Sequence, residues 1–320
     1  MNPFDDKVFV IDKVPGPTSF DVVGDLRRAS GLRRVGHAGT LDPLAEGVLV
    51  LCTGMATRAV EHLMNLEKTY DFEIRLGVET STLDAEGEVL REVPVPAYRS
   101  VDVQAAAAAF VGDYELVPPL FSAIKRQGRR MYEIARAGDA LPEVPPRTVR
   151  INAFDVLTVQ IPFLCCRVRC SRGTSVRSLA RDLGERLGVP AHVTRLARTR
   201  VGPFARDDAF PSERLAKGDT EGLEGIDLAA ALAFLPAYVL NAHSRRALLD
   251  GSLPATGDAV RTLGTVEPGA PVRLMDEEGR LIAVGTRRAE GEHNPLFLVD
   301  SFRLFIDQRT QRARPAARER

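Results

Sequence analysis

Over several short stretches the hydrophobic positions of this chain alternate with polar ones, and β-branched residues are prominent there. A period of two predicts strands at Lys7–Asp12, Tyr70–Leu76, Ile151–Ile161 and Cys165–Cys170, then at Val272–Met275, Leu281–Gly285 and Leu296–Val299. Helices are expected between them. Thr18 or Ser19 caps one through Asp21–Ala29, and Ser100 caps the alanine-rich run Val101–Val111, which Gly112 closes. A third runs from Ser175 to Leu187 and stops at Gly188 and Pro190. Strands in antiparallel neighbourhoods, with helices set apart from them, imply an α+β class rather than a βαβ repeat.

The pattern changes after residue 210. Residues 211–236 are charged and glycine-bearing, with a short apolar helix around Leu228–Phe234, and read as a connector. From Ala237 a small helix, a turn near Gly251–Gly257 and strands separated by Pro268-Gly269 and Glu278-Gly279 suggest a separate small β-rich module. The expected division is a first domain over 1–210, the connector over 211–236, the β-rich domain over 237–305 and a frayed basic tail over 306–320.

Composition adds limits. The 320 residues are 44% hydrophobic and 27% charged, close to the average of globular proteins and enough for two domains. No window approaches the ~20 apolar residues of a membrane helix. The opening MNPFDDKVFV has neither the basic start nor the apolar core of a secretory signal. A cytoplasmic location without membrane contact is therefore expected. Cys52, Cys165, Cys166 and Cys170 form neither a CxxC pair nor a disulfide framework, and are expected to be reduced, mostly buried thiols.

Charge changes the picture more through its distribution than its sum. Basic and acidic residues balance at 43 each, yet Arg167–Arg200 holds nine arginines against Asp182 and Glu185. Lys125–Arg136 and Arg27–Arg34 are also basic, and the acidic stretch Glu61–Glu115 offsets them. Phosphates respond to the local field, so a neutral chain can carry a basic face. This pattern permits an RNA partner without establishing one.

The stretch richest in candidate chemistry is Gly36-His37-Ala38-Gly39-Thr40-Leu41-Asp42-Pro43-Leu44-Ala45-Glu46-Gly47-Val48-Leu49. Its glycines allow unusual backbone shapes and close ligand approach. Taken alone, Asp42 before Pro43 reads as a helix cap. The five histidines, His37, His62, His192, His243 and His293, lack metal-ligand spacing.

GHAGTLDPLAEGVL resembles the central motif of the TruB family of tRNA pseudouridine synthases, and the resemblance extends over Lys7–Pro203. Asp12-Lys13-Val14-Pro15-Gly16-Pro17-Thr18-Ser19 with Asp21-Val22-Val23 resembles the family's DKPxGxTSxDVV signature. Lys68-Thr69-Tyr70 resembles its K-x-Y strand, and Thr80–Gly87 its T-x-T-x-D-x-x-G loop. Val117–Lys125 with Tyr132 resembles the arm that closes over RNA, and Cys170–Arg177 the C-S-x-G-T-Y-I-R motif. The resemblance implies a pseudouridine-synthase fold with a large mixed β-sheet and a central RNA-binding cleft, followed by a PUA-like RNA-binding domain. It implies isomerisation of the T-loop uridine at position 55 of tRNA, after base flipping, with no cofactor and no metal. Asp42 would be the nucleophile, Arg177 its partner and Tyr70 the residue stacking on the flipped base. His37 would enter the RNA loop and Leu196 would contact the uracil. Lys13 and Lys125 would support the site or nearby phosphates.

Two positions depart from the family pattern. Val14 stands in place of proline, and Ser175 in place of tyrosine, so that this substrate-binding position offers a shorter wall. The expected working form is a monomer without an obligatory protein partner, bound to the T-arm and the acceptor end of tRNA. Alternative readings are a tRNA-folding chaperone with secondary catalysis and a guide-RNA-dependent synthase.

Overall fold

Alternation sends Phe9 and Ile11 to one face of the Lys7–Lys13 strand and Val8 and Val10 to the other, and all four are buried. The adjacent Glu46–Thr53 strand repeats this, with Leu49 and Leu51 on the first side and Val48, Val50 and Cys52 on the second. The sheet they share is therefore a wall between two hydrophobic cores, as expected for a layered domain. The computed structural model describes residues 2–119, 145–288 and 297–305, with the backbone of two short paired strands, Lys125–Arg126 and Arg129–Arg130.

Across this sheet the strands run in the order Phe210–Pro211, Lys7–Lys13, Glu46–Thr53, Ala191–Val201, Lys68–Leu76, Phe163–Cys170, Arg147–Gln160 and Gly112–Leu116. Most neighbours are antiparallel, but Glu46–Thr53 and Ala191–Val201 run parallel, as do Lys7–Lys13 and Phe210–Pro211. The sheet is thus large and mixed. One face is covered by helices Ser19–Ser30, Ser100–Ala108 and Val176–Arg186, through Val22, Leu26, Val103, Leu179 and Leu183. On the other face the core takes in Leu232 and Leu235, then Ala237, Met275, Leu281, Val284 and Phe305 from the C-terminal part. That part forms its own five-stranded sheet, with a third core around Leu240, Leu248, Val272, Leu274 and Ile282.

Several expectations shift in detail. Thr18, not Ser19, is the N-cap of the first helix and forms a capping box with Asp21. Ser100 is not a cap. Arg99 occupies that position and pairs with Asp102 at 2.7–2.8 Å, and the helix ends at Ala108, leaving Gly112 to open a strand. The connector adds two short edge pairings to the main sheet, at Phe210–Pro211 and Ile226–Asp227. The final strand is Val299–Leu304, C-terminal to the expected one. The four cysteines are free thiols, and burial pushes those of Cys52 and Cys166 up to about 12. Among the described residues no helix is long and apolar enough to cross a membrane. The expected tail 306–320 lies outside the described residues.

Candidate active site

Strands Val35–His37 and Glu46–Thr53 pair antiparallel, and the loop joining them carries Asp42. Its backbone polar groups are met from several elements, as buried main chain requires. The Ser19 hydroxyl donates to the Leu41 carbonyl at 3.0 Å and accepts from the Leu41 N–H at 2.8 Å, tying the first helix to the loop. Gly16 N–H donates to the Pro43 carbonyl at 2.9 Å.

Two buried cations hold the loop from below. Lys13 is fully buried, and its ammonium donates to the carbonyls of Val14 (2.9 Å), Pro43 (3.2 Å) and Ala45 (2.6 Å). Burial lowers its pKa to about 8, against an opposing pull from Asp42. Arg198 donates to the carbonyls of Val48 (2.7 Å), Thr40 (3.3 Å) and Gly39 (3.0 Å). Where the strand of Arg198 passes Gly47 the approach is very close. Gly47 has φ +100°, and a Cβ there would stand 2.2 Å from the Arg198 carbonyl oxygen. Only glycine fits.

Arg177 lies in the first turn of helix Val176–Arg186. Its guanidinium pairs with Asp42 at 2.9 Å and with Asp84 at 3.1 Å, and donates to the Thr82 carbonyl at 2.9 Å. The two carboxylates differ in access: the Asp42 side chain is 38% exposed and that of Asp84 only 3%. Asp84 is fixed in turn by the Glu86 N–H at 3.1 Å and the Thr82 hydroxyl. Asp84 therefore anchors Arg177, and Asp42 is the carboxylate that a ligand can reach.

Asp42 borders a cavity of about 350 Å³, at the small end of ligand pockets and sized for one nucleotide rather than a duplex. Tyr70, Arg177, Ser175 and Leu196 share its walls, so five of the sequence-predicted residues converge. Tyr70 is half-buried, and burial raises its phenol pKa while the neighbouring Arg198 opposes the shift. Ser175 is the N-cap of the Val176–Arg186 helix and accepts from the Ser178 N–H at 3.3 Å. The other departure, Val14, uses the N–H that proline would lack, donating to the Ser212 hydroxyl at 3.1 Å.

Two expected residues stand elsewhere, and a third cannot be placed. His37 does not line the cavity; it packs edge-to-face on the exposed Phe20 at 5.3 Å. Lys13 spends its donors on the loop beneath Asp42, which fits support of the site and leaves no reach to a phosphate. The side chain of Lys125 lies outside the described residues. Conversely, sequence reasoning did not single out Asp84, Arg198, Lys68 or Arg147. Asp84 and Lys68 sit inside the quoted loop and strand motifs, whereas Arg198 was counted among surface charges. Lys68 lines the cavity, donates to the Leu66 carbonyl at 2.6 Å and to that of Met64, and is lowered to about 8 by burial. Among the described residues no group of three His, Cys, Asp or Glu side chains could hold a metal.

Comparison with known proteins shows the family. Residues 27–176 match the family model for the N-terminal domain of TruB family pseudouridylate synthases, and 177–226 that for the C-terminal domain of tRNA pseudouridylate synthase B. A protein of Moorella thermoacetica named tRNA pseudouridine synthase B is 41% identical over 299 residues, covering 92% of this chain and 97% of the relative. One of the same name from Burkholderia pseudomallei is 40% identical over 296 residues, with the same coverage. Among solved structures, a Cbf5-Nop10-Gar1 complex aligns with a TM-score of 0.74 at 24% identity, covering 96% of this chain and 87% of that one. The archaeal box H/ACA sRNP Nop10-Cbf5 complex gives 0.72 at 23%, covering 96% and 88%. These two share the fold. On the identity and coverage of its relatives, the chain belongs to the TruB family of pseudouridine synthases.

Proposed function

We propose that this chain isomerises uridine to pseudouridine in tRNA, at the T-loop uridine numbered 55, with Asp42 as nucleophile. The observation that carries this reading is one reachable carboxylate, fixed by a buried guanidinium, on the wall of a cavity sized for one nucleotide. The names of the 40–41% identical relatives support the substrate and the reaction.

The uridine leaves its stack and enters the cavity, where Tyr70 and Leu196 supply an aromatic and an aliphatic surface for the base. Asp42 attacks the nucleotide, and the bond between N1 and C1′ breaks. The base turns, C5 bonds to C1′, and the bond between Asp42 and the nucleotide breaks, which returns the free carboxylate. The C5 proton leaves to solvent and N1 takes one up, so nothing is oxidised or reduced. A carboxylate suits this sequence because it serves as both nucleophile and leaving group. Arg177 fixes its direction through a charge-assisted bond. A phenol is protonated near neutrality, so Tyr70 can move a proton late in the reaction. His37, backed by Phe20, fills the space that the flipped base vacates.

The catalytic domain spans 1–210, and the module of 237–305 is a PUA-like RNA-binding domain meeting the acceptor end through phosphate and sugar contacts. The protein works in the cytoplasm, as a monomer. The test uses a tRNA transcript tritiated at uridine C5. About one equivalent of tritium should be released and map to the T-loop, and Asp42→Asn should abolish release while retaining tRNA binding. Full turnover by Asp42→Asn would overturn the assignment of the nucleophile.

A further inference from the structure

Among the described residues five cationic side chains border the cavity, and four have acceptors of their own. Arg177 is shared between Asp42 and Asp84, Arg198 is spent on three carbonyls, and Lys68 on two. Arg172 donates to the Asn65 side chain at 2.6 Å. Arg147 is the exception. It opens the Arg147–Gln160 strand, opposite Leu116, and is half-buried. Its Nε is enclosed and has no hydrogen-bond partner, and among the described residues no carboxylate pairs with it.

The guanidinium packs over Gly173. A Cβ at that glycine would stand 3.7–3.8 Å from Cζ, Nε and Nη1, an ordinary contact, so the planar group rests directly against the turn that Gly173 makes with φ +83°. Two residues later Ser175 caps the 11-residue helix Val176–Arg186, and Ser175 and Val176 line the same cavity. The positive end of that helix dipole therefore adds to the field around Arg147. A partly desolvated guanidinium without a counter-charge is costly, and a neutral carbonyl compensates it less well than an anion. The guanidinium fork matches phosphate oxygens in pairs. Asp42 is not the missing partner, because its charge is met by Arg177.

We propose that Arg147 is the phosphate receiver of the catalytic pocket, binding a backbone phosphate of the nucleotide whose base enters it. This rests on the RNA-modifying reading of the site. It gives the pocket a handle on the backbone, distinct from the residues that face the base.

The experiment uses the full chain and a T-arm stem-loop in which the phosphate 5′ or 3′ to the target uridine is replaced, one at a time, by an uncharged methylphosphonate. Affinity is measured against salt concentration. Arg147→Gln should weaken binding about 10-fold or more, the size of a charge-assisted contact, and lower the salt slope by about one. One of the two methylphosphonates should weaken wild-type binding by a similar factor and leave Arg147→Gln unchanged. Arg147→Lys, which keeps the charge in a folded pocket, should restore most of the salt slope. Arg150→Gln, on the same strand but exposed and paired with Asp113, should show no such coupling. Additive losses from both methylphosphonates in Arg147→Gln and Arg147→Lys alike would overturn the proposal. Tritium release separates the two levels: turnover without coupling overturns the role of Arg147 alone. Coupling without turnover overturns the proposed reaction and leaves Arg147 as a phosphate contact.

Discussion

At the residue scale, Arg177 divides one guanidinium between two carboxylates, of which only Asp42 can meet a ligand. Asp84→Asn removes the enclosed counter-charge, so the guanidinium and the Asp42 that it holds are free to shift. A misplacement of about 1 Å costs roughly 100-fold in rate. Single-turnover tritium release should therefore slow about 100-fold with little change in tRNA affinity. An equal loss of affinity would instead make Asp84 part of the binding surface. Lys13 gives a pH prediction of two opposite signs. Its pKa falls from 10.5 to about 8 on folding, so between these values the unfolded chain holds more protons and the stability contributed by Lys13 rises with pH. Urea unfolding should show wild type gaining stability relative to Lys13→Met across that window. The rate should move the other way. Above pH 8 the amine has lost one N–H, and one of three carbonyls under the Asp42 loop loses its donor. An alkaline limb near pH 8 that persists unchanged in Lys13→Arg would assign that limb to another group. Asp42, Tyr70 and Arg177 were legible because each sits in a contiguous motif. Asp84, although inside the Thr80–Gly87 motif, and Arg198 were not singled out, because their holding roles arise from bonds across 93 and 150 residues of sequence.

At the element scale, the strands and helices with clear periodicity were legible, and the two central strands were not. Glu46–Thr53 is buried on both faces, so its Val48–Cys52 run lacks the alternation that marks a half-exposed strand. Ala191–Val201 is disguised by Arg195, Arg198 and Arg200; Arg198 points inward only because three carbonyls receive it. The contact between these strands yields a sharp prediction at Gly47. With φ +100° and the Arg198 carbonyl 2.2 Å from an added Cβ, Gly47→Ala combines backbone strain with steric overlap. It should cost at least about 1–3 kcal/mol in urea unfolding. The same substitution at Gly36, which has open space around its Cβ direction, should cost less than Gly47→Ala. Ser175 illustrates a departure that carries its own compensation. The serine shortens the pocket wall but caps the Val176–Arg186 helix, which tyrosine cannot do in the same way. Ser175→Tyr and Ser175→Ala should each lose about 1 kcal/mol of stability. An unchanged urea midpoint in both would show that the cap contributes nothing.

At the scale of the whole molecule, the charge pattern was a guide to most of the basic surface but not to its two buried arginines, and the hydrophobic pattern a good guide to the C-terminal module. Within the basic run, Arg177 and Arg198 are buried and Arg167 is paired with Asp71, whereas Arg169, Arg172, Arg186, Arg195 and Arg200 are exposed. The module from Ala237 onward was visible as a fresh set of strands, but its seat was not, because it depends on faces that meet only in three dimensions. Ala237, Met275, Leu281, Val284 and Phe305 join one core with Val8, Val10, Val48 and Val50 of the main sheet. Polar bonds cross the same junction: Arg58 donates to the Leu304 carbonyl at 2.6 Å, and Arg273 to those of Leu235 (2.9 Å) and Ala229 (3.1 Å). An appended RNA-binding module could be removed at the expense of affinity alone. A module that completes the core cannot, since a chain ending at residue 236 exposes apolar surface at about 25 cal/mol per Å². Such a chain should unfold at lower urea concentration and self-associate, as seen by light scattering, before tRNA affinity is considered. A truncated chain that stays monomeric and keeps the urea midpoint of the full chain would show that the shared core adds little. The module's contribution would then lie in RNA contact alone.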